Sequence, residues 1–179
     1  VDILIVGGGP AGMSAALRLA QLQKERGGDP LAIAVLEKSR EVGAHALSGA
    51  VLDPSALRQL VPDYKEQGAP LASEVHHDHV YFLTRGGKIP FPITPPPLKN
   101  HGHYIISLSR FVKWLGGLVE AEGIDVFTGF GAAELLHDGD RVVGVRTGDR
   151  GIGKLGERKP NFEPGVDIRA KVTILTDGV

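Results

Sequence analysis

The chain opens on an apolar, β-branched run without alternation, Ile3-Leu4-Ile5-Val6 after Asp2, the pattern of a parallel strand covered on both faces. From Ala11 to about Lys24, residues Ala15, Ala16, Leu19, Ala20 and Leu22 recur at helical spacing, with Arg18, Gln21, Gln23 and Lys24 on the polar side. Arg26-Gly27-Gly28-Asp29-Pro30 stops that helix, and Leu31 to Leu36 is a second buried strand closing on Glu37. This βαβ order predicts an α/β fold with a parallel sheet.

Further along, Asp53-Pro54 followed by Ala56, Leu57, Leu60 and Val61 predicts a short helix, with Asp53 as N-cap, Pro54 at its first position and Pro62 ending it. Its apolar side is expected to pack on the core. Val80–Thr84 and Lys88–Ile93 around Arg85-Gly86-Gly87 predict a hairpin, whose second arm Pro90 and Pro92 confine to an edge. Thr94-Pro95-Pro96-Pro97-Leu98 reads as a stiff connection. Ser109 is expected to cap a helix from Arg110 to about Glu122, ended by Gly123. Strands follow at 124–127, 132–137 and 142–147, the last two joined at Asp138-Gly139-Asp140; 148–165 is a long hairpin or loop, and 170–178 returns a buried strand to Gly178.

Composition narrows the function. There are 179 residues, with 20 Lys+Arg against 21 Asp+Glu for a net charge of -1, so no general basic field exists to hold nucleic acid. No cysteine is present, which excludes a cysteine nucleophile, a disulfide framework and any thiolate-bound zinc or iron–sulfur site within these residues. Redox chemistry here requires a bound organic cofactor. No apolar run reaches the 18 or so residues of a membrane span, and no signal-peptide pattern is seen. The first residue is Val1 and a strand begins at once, as in a segment cut from a longer chain. His76, His77 and His79 flank Asp78, but neighbouring residues on an extended chain point to opposite faces, so no metal site is expected.

The chemistry sits in the first turn. Gly7-Gly8-Gly9-Pro10-Ala11-Gly12 fits G-x-G-x-x-G between strand and helix: a tight turn at Gly7, close backbone approach to a pyrophosphate at Gly9, and close helix–strand packing at Gly12. The helix N-terminus offers free N–H groups and partial positive charge to phosphates. Glu37, 25 residues beyond Gly12, is placed to accept ribose hydroxyls and to repel a 2′-phosphate. Dinucleotide binding follows; FAD against NAD stays open on these residues. The loop after Glu37, running through Ser48 and Gly49 to Leu52, is of a kind that can pass beneath a flavin.

Six segments carry a family resemblance. Gly7–Gly12, Glu37-Lys38, Gly43-Ala44-His45-Ala46-Leu47-Ser48-Gly49-Ala50-Val51-Leu52-Asp53-Pro54, Gly68-Ala69-Pro70-Leu71, Asn100-His101-Gly102-His103-Tyr104-Ile105 and Lys159–Gly165 together resemble the electron-transfer-flavoprotein:ubiquinone oxidoreductases. The resemblance implies a glutathione-reductase/hydroxylase-like two-domain flavoprotein with a Rossmann-like FAD-binding domain and a β-rich inserted segment, divided as 1–75, 76–103 (substrate or quinone side) and 104–179. It implies electron transfer from electron-transfer flavoprotein through FAD and a [4Fe–4S] cluster to ubiquinone, with the cluster's cysteines in a C-terminal region these residues do not include. It also implies a peripheral place on an inner mitochondrial or bacterial cytoplasmic membrane, with 46–62 or 80–98 as the contact. The expected cofactor residues are Gly7, Gly8, Gly9, Pro10, Ala11, Gly12, Glu37, Lys38, Ser48, Gly49, Arg110 and Gly178. No residue is expected to act as acid, base or nucleophile. His103 and Thr176 depart from the family, which often has Asn and an alanine-type residue there. Competing readings are a geranylgeranyl-reductase-like or hydroxylase-like flavoenzyme, and a non-catalytic nucleotide-binding fragment that holds FAD weakly or not at all.

Overall fold

A strand that is apolar at every position needs cover on both faces, and the first strand has it. A computed structural model describes residues 1–47, 49–153 and 155–178. In chain order the elements begin β1 (Ile3–Val6), α1 (Pro10–Arg26), β2 (Ile33–Glu37), β3 (Ala50–Leu52), α2 (Ser55–Leu60) and β4 (Leu71–Glu74). Next come β5 (Tyr81–Thr84), β6 (Gly87–Pro90), a 3-10 turn (Pro96–Leu98), β7 (Tyr104–Ile106) and α3 (Leu108–Ala121). The chain continues through β8 (Asp125–Thr128), β9 (Ala132–Asp138), β10 (Arg141–Thr147), β11 (Arg150–Ile152), β12 (Arg158–Glu163), β13 (Asp167–Arg169) and β14 (Val172–Leu175). These form two units, Val1–Ala46 with Val112–Val179, and Leu47–Phe111. Residues 76–103 lie inside the second.

In the first unit a parallel sheet runs in the order β14-β1-β2-β8. The pairs Leu4↔Ala34 and Val6↔Leu36 set its register. Because side chains alternate along a strand, Leu4, Val6, Ala34 and Leu36 share one face and bury it against Val145 and Ala170, with Phe130 and Ile168 packed alongside. Helix α1 packs on β1 and β2, burying Met13, Ala16, Leu17 and Ala20. Each large aliphatic side chain buried this way contributes roughly 1.5–3 kcal/mol. An antiparallel sheet, order β13-β10-β9, and the ribbon β11-β12 complete the unit. The ribbon resolves the stretch 148–165 as a hairpin.

The second unit is built on a three-stranded antiparallel sheet with β7 between β3 and β4, in the register Val51↔Ile105 and Glu74↔Tyr104. Tyr104 and Ile106 are buried, as are Leu57, Val61 and Tyr64, so the apolar side of α2 faces inward. Strands β5 and β6 pair as a separate hairpin, Phe82↔Ile89, and every residue of both arms is exposed. Pro90 closes the edge arm opposite Tyr81, where no ladder donor is lost.

Some local expectations are corrected. Helix α3 begins at Leu108, and Phe111 N donates to Ser107 O; Ser109 therefore lies in the first turn and is not the cap. At α2 the N-cap is Pro54, yet the Asp53 carboxylate still accepts the Ser55 N–H at 2.9 Å. The Ser55 hydroxyl above all, and then that bond, hold the Asp53 carboxyl below its ordinary range. Helix α1 starts at Pro10, whose missing N–H costs nothing in a first turn. Strands β3, β4, β7 and β13 were not expected. Among the described residues no three His, Asp or Glu side chains converge on a possible ion site. His101 Nδ1 lies 2.8 Å from His76 O, and Asp78 takes the Asn100 N–H at 2.9 Å, so this histidine-rich segment is tied to 100–101 by hydrogen bonds.

Candidate dinucleotide-binding site

The turn between β1 and α1 owes its shape to glycine at each place where a Cβ has no room. Gly7 adopts φ +107°, and a Cβ there would meet Thr176 O at 2.5 Å. A Cβ on Gly12 would collide with Gly7 O and approach Thr176 Oγ1 to 2.7 Å. Gly8 is closed by Glu37, whose Oε2 would lie 2.8 Å from an added Cβ. Gly9 differs, because a Cβ there meets nothing within 4 Å. Open space thus lies at Gly9, the N-cap of α1, which carries no side-chain cap and no acid in its first turn.

The first backbone N–H groups of α1 border that space. Met13 N donates to Gly9 O at 3.0 Å, so the first intrahelical bond starts there, and the N–H groups of Ala11 and Gly12 precede it without a helical acceptor. With the helix dipole behind them, such groups favour an anion. Glu37 stands across the turn, only 8 % exposed. Its Oε2 accepts Gly8 N–H at 2.9 Å and its Oε1 accepts Ser39 N–H at 2.7 Å. Two backbone donors fix the carboxylate's orientation, and each oxygen keeps a second lone pair for a hydroxyl. The observed cradle, open at one glycine and packed at three, fits the diphosphate and ribose of an adenine dinucleotide.

The expected cofactor residues are not all brought together. Gly7, Gly8, Gly9, Pro10, Ala11, Gly12 and Glu37 form this one cluster. Gly178, at φ +79° with open space around it, follows β14, whose Val172–Leu175 pair with β1. Lys38 instead lines a cavity of about 280 Å³ with Arg40, Gly129, Arg150, Asn161 and Glu163, where Arg150 pairs with Glu163 at 3.3 Å. Gly49, at φ +89° just before β3, and the exposed Arg110 in the first turn of α3 belong to the 47–111 unit. Ser48 lies outside the described residues. Two participants were not singled out for the site: Ser39, whose amide orients Glu37, and Thr176, whose Oγ1 donates to Val6 O and Gly7 O. Ser39 had a local signal in its place directly after the Glu37-Lys38 pair; for Thr176 the sequence offered only its departure from the family pattern.

Parallel sheet, glycine turn and strand-end acid define a Rossmann-like fold of the kind found in FAD-binding domains, as the sequence predicts. A family model described as an NAD(P)-binding Rossmann-like domain matches residues 5–67. A geranylgeranyl bacteriochlorophyll reductase-like protein from Thermoplasma acidophilum superimposes with a TM-score of 0.69 at 26% identity, over 99% of this chain and 39% of that one. A myxobacterial FAD-dependent halogenase gives 0.59 at 22% identity, over 99% of this chain and 37% of its own. In sequence the likeness is narrower and stronger. The mitochondrial electron transfer flavoprotein-ubiquinone oxidoreductase of Mus musculus is 48% identical over 99% of this chain and 29% of its own length. A probable electron transfer flavoprotein-ubiquinone oxidoreductase of Acinetobacter baylyi is 47% identical over 99% of this chain and 32% of its own. The chain thus spans about three tenths of these relatives and is similar to them across nearly all its residues, in agreement with the resemblance read from its motifs.

Proposed function

We propose that this chain is the FAD-holding part of an enzyme that passes electrons from electron-transfer flavoprotein to ubiquinone. The observation that carries the reading is the cradle at Gly9, open above an uncapped helix N-terminus and bordered by an oriented Glu37. The 48% identity to oxidoreductases of that name supports the reaction. When bound, FAD would supply the reversible uptake of electrons. The protein's own residues bind and orient: the Ala11 and Gly12 amides hold the diphosphate, Glu37 accepts ribose hydroxyls and repels a 2′-phosphate, and Gly178 brings backbone toward the phosphates. Lys38, Ser48, Gly49 and Arg110 are carried as further cofactor contacts by the family resemblance alone. The [4Fe–4S] cluster of the proposed enzyme would be held outside these cysteine-free residues.

The same reading places 76–103 on the quinone side, at a membrane. No helix among the described residues is long and apolar enough to cross one. Of the two candidate contacts, 80–98 offers more exposed apolar side chains, with Phe82 59 %, Leu83 75 % and Ile93 73 % exposed; in 46–62 Leu47 is 84 % and Val51 44 % exposed, but the Leu57 and Val61 side of α2 is buried. Apolar side chains offered to solvent on a polar-rimmed hairpin fit a lipid interface.

The geranylgeranyl-reductase-like alternative rests on the superposition at 26% identity, and the higher identity to the quinone oxidoreductases outweighs it. The test is the intact protein's visible spectrum, followed by titration with reduced electron-transfer flavoprotein and then a ubiquinone analogue. Expected are a bound flavin, its bleaching by the donor and its recovery with the quinone. A flavin-loaded protein that the donor cannot bleach would overturn the reaction. Gly9→Asp sets a carboxylate in the cradle and should abolish flavin retention; unchanged flavin content would overturn the cradle.

A further inference from the structure

We propose that Thr176 is a positioning residue whose hydroxyl locks the glycine turn in the shape that receives the diphosphate; this rests on the reading of that turn as the FAD cradle. Strand β14 runs parallel to β1 and ends at Leu175, beside Val6. One residue later the Thr176 N–H donates to Val6 O at 2.8 Å. The ladder between β14 and β1 stops there. The side chain then extends it: Thr176 Oγ1 lies 2.8 Å from Val6 O and 2.9 Å from Gly7 O. A hydroxyl has one proton, so the two carbonyls share it in a three-centre bond.

Placement gives this bond its importance. Val6 O already has a donor in the Thr176 backbone, but the bond to Gly7 O reaches a residue held at φ +107°. Rotation of the Gly7–Gly8 peptide would move both the Gly7 carbonyl and the Gly8 N–H that Glu37 anchors at 2.9 Å. Thr176 therefore fixes one end of that peptide plane and Glu37 the other. The same Gly7 oxygen is the atom on which Gly12 packs, so a shift there also moves the first turn of α1. A carbonyl turned toward the cradle would repel a diphosphate, and a proton held on it prevents that.

The test compares Thr176→Val, Thr176→Ala and Thr176→Ser in the intact protein. Valine keeps branching and volume but has no proton; serine keeps the proton. In ligand-free protein, amide hydrogen exchange over 7–12 should be faster in Thr176→Val and Thr176→Ala by roughly tenfold, the worth of one hydrogen bond, and near wild type in Thr176→Ser. FAD dissociation constants, from flavin fluorescence on reconstitution, should rise by about the same factor in the first two and recover in the third. Equal exchange in wild type and Thr176→Val would overturn the lock, as would failure of serine to restore it. If the exchange pattern holds while wild type takes up no FAD, the lock stands and the assignment of the cradle to FAD falls, with the affinity effect.

Discussion

The unit made of residues 1–46 and 112–179 and the unit 47–111 spend their apolar residues differently. In the first, β1 and β2 hide Leu4, Ile5, Val35 and Leu36 almost completely, so these side chains hold the sheet together and are unavailable to anything else. In the second, Leu57, Tyr64, Tyr104 and Ile106 are buried under a small sheet, while the β5–β6 hairpin leaves Phe82, Leu83, Ile89 and Phe91 in solvent. A buried apolar residue of β1 or β2 is an argument about folding. An exposed one on the hairpin is an argument about what the protein meets.

The largest effect that would sharpen this contrast comes from one methyl group placed in each unit. On Gly12 it strikes Gly7 O, part of a backbone that cannot yield, whereas on Gly86 it meets nothing within 4 Å. Gly12→Ala should cost about 4 kcal/mol or more, at the diagnostic end of single substitutions, and Gly86→Ala about 0.5 kcal/mol at most. Urea unfolding followed by circular dichroism measures both. Similar losses at the two positions would show that close packing at the turn is not what demands glycine there.

Next in size is the exchange of one leucine in each unit. Leu36→Ala empties a site 1 % exposed within the Leu4, Val6 and Ala34 cluster, and a cavity of that kind costs about 2–5 kcal/mol. Leu83→Ser, at a position 75 % exposed, should change stability by about 0.5 kcal/mol or less, like other surface substitutions. Its expected effect is on sedimentation with phospholipid vesicles, which should fall while flavin content does not. A Leu83→Ser protein that unfolds early yet binds vesicles normally would reverse the roles assigned to the two units.

How much of this was legible in the sequence depends on how local each feature is. The stretch from Ile3 to Glu37 declares strand, glycine turn, helix, strand and acid within one continuous segment, and the structure follows it to within two residues at most ends. The hairpin was legible for the same reason, since Arg85-Gly86-Gly87 sits between two short apolar runs. Strands β3, β4 and β7 were not, because three or four residues carry no measurable period and their pairing joins Ala50 to Ile106, positions no local pattern connects. At the start of α3, Ser107 and Ser109 offer the same capping chemistry two residues apart, and the backbone turns at the first, so the local pattern does not choose between them. At the site, the glycines announce a turn, but that Gly12 packs on Gly7 O is a fact of three dimensions. Thr176 was illegible as a participant for a stronger reason: its partners Val6 and Gly7 lie about 170 residues away along the chain.

The smallest expected effect separates the units by pH. In the 47–111 unit Asp78 holds the Asn100 N–H at 2.9 Å and its side-chain amide at 3.2 Å, and the Asn100 backbone bond above all keeps its carboxyl below the ordinary value, against the opposing pull of burial. A carboxyl whose folded pKa is depressed stabilises the fold above its unfolded pKa, near 3.9, and loses that contribution as pH falls through the folded value. Asp78→Asn should therefore lower the thermal midpoint slightly at neutral pH. The gap from wild type should narrow below about pH 4 and close once Asp78 itself is protonated. In the other unit, Asp167 is depressed first of all by its bond to Arg146, an exposed pair of the kind that salt screens. Added salt should thus shrink the effect of Asp167→Asn but leave that of Asp78→Asn, whose partners are amides. A gap for Asp78→Asn that persists unchanged under acid would mean the side chain acts through packing and not through its charge.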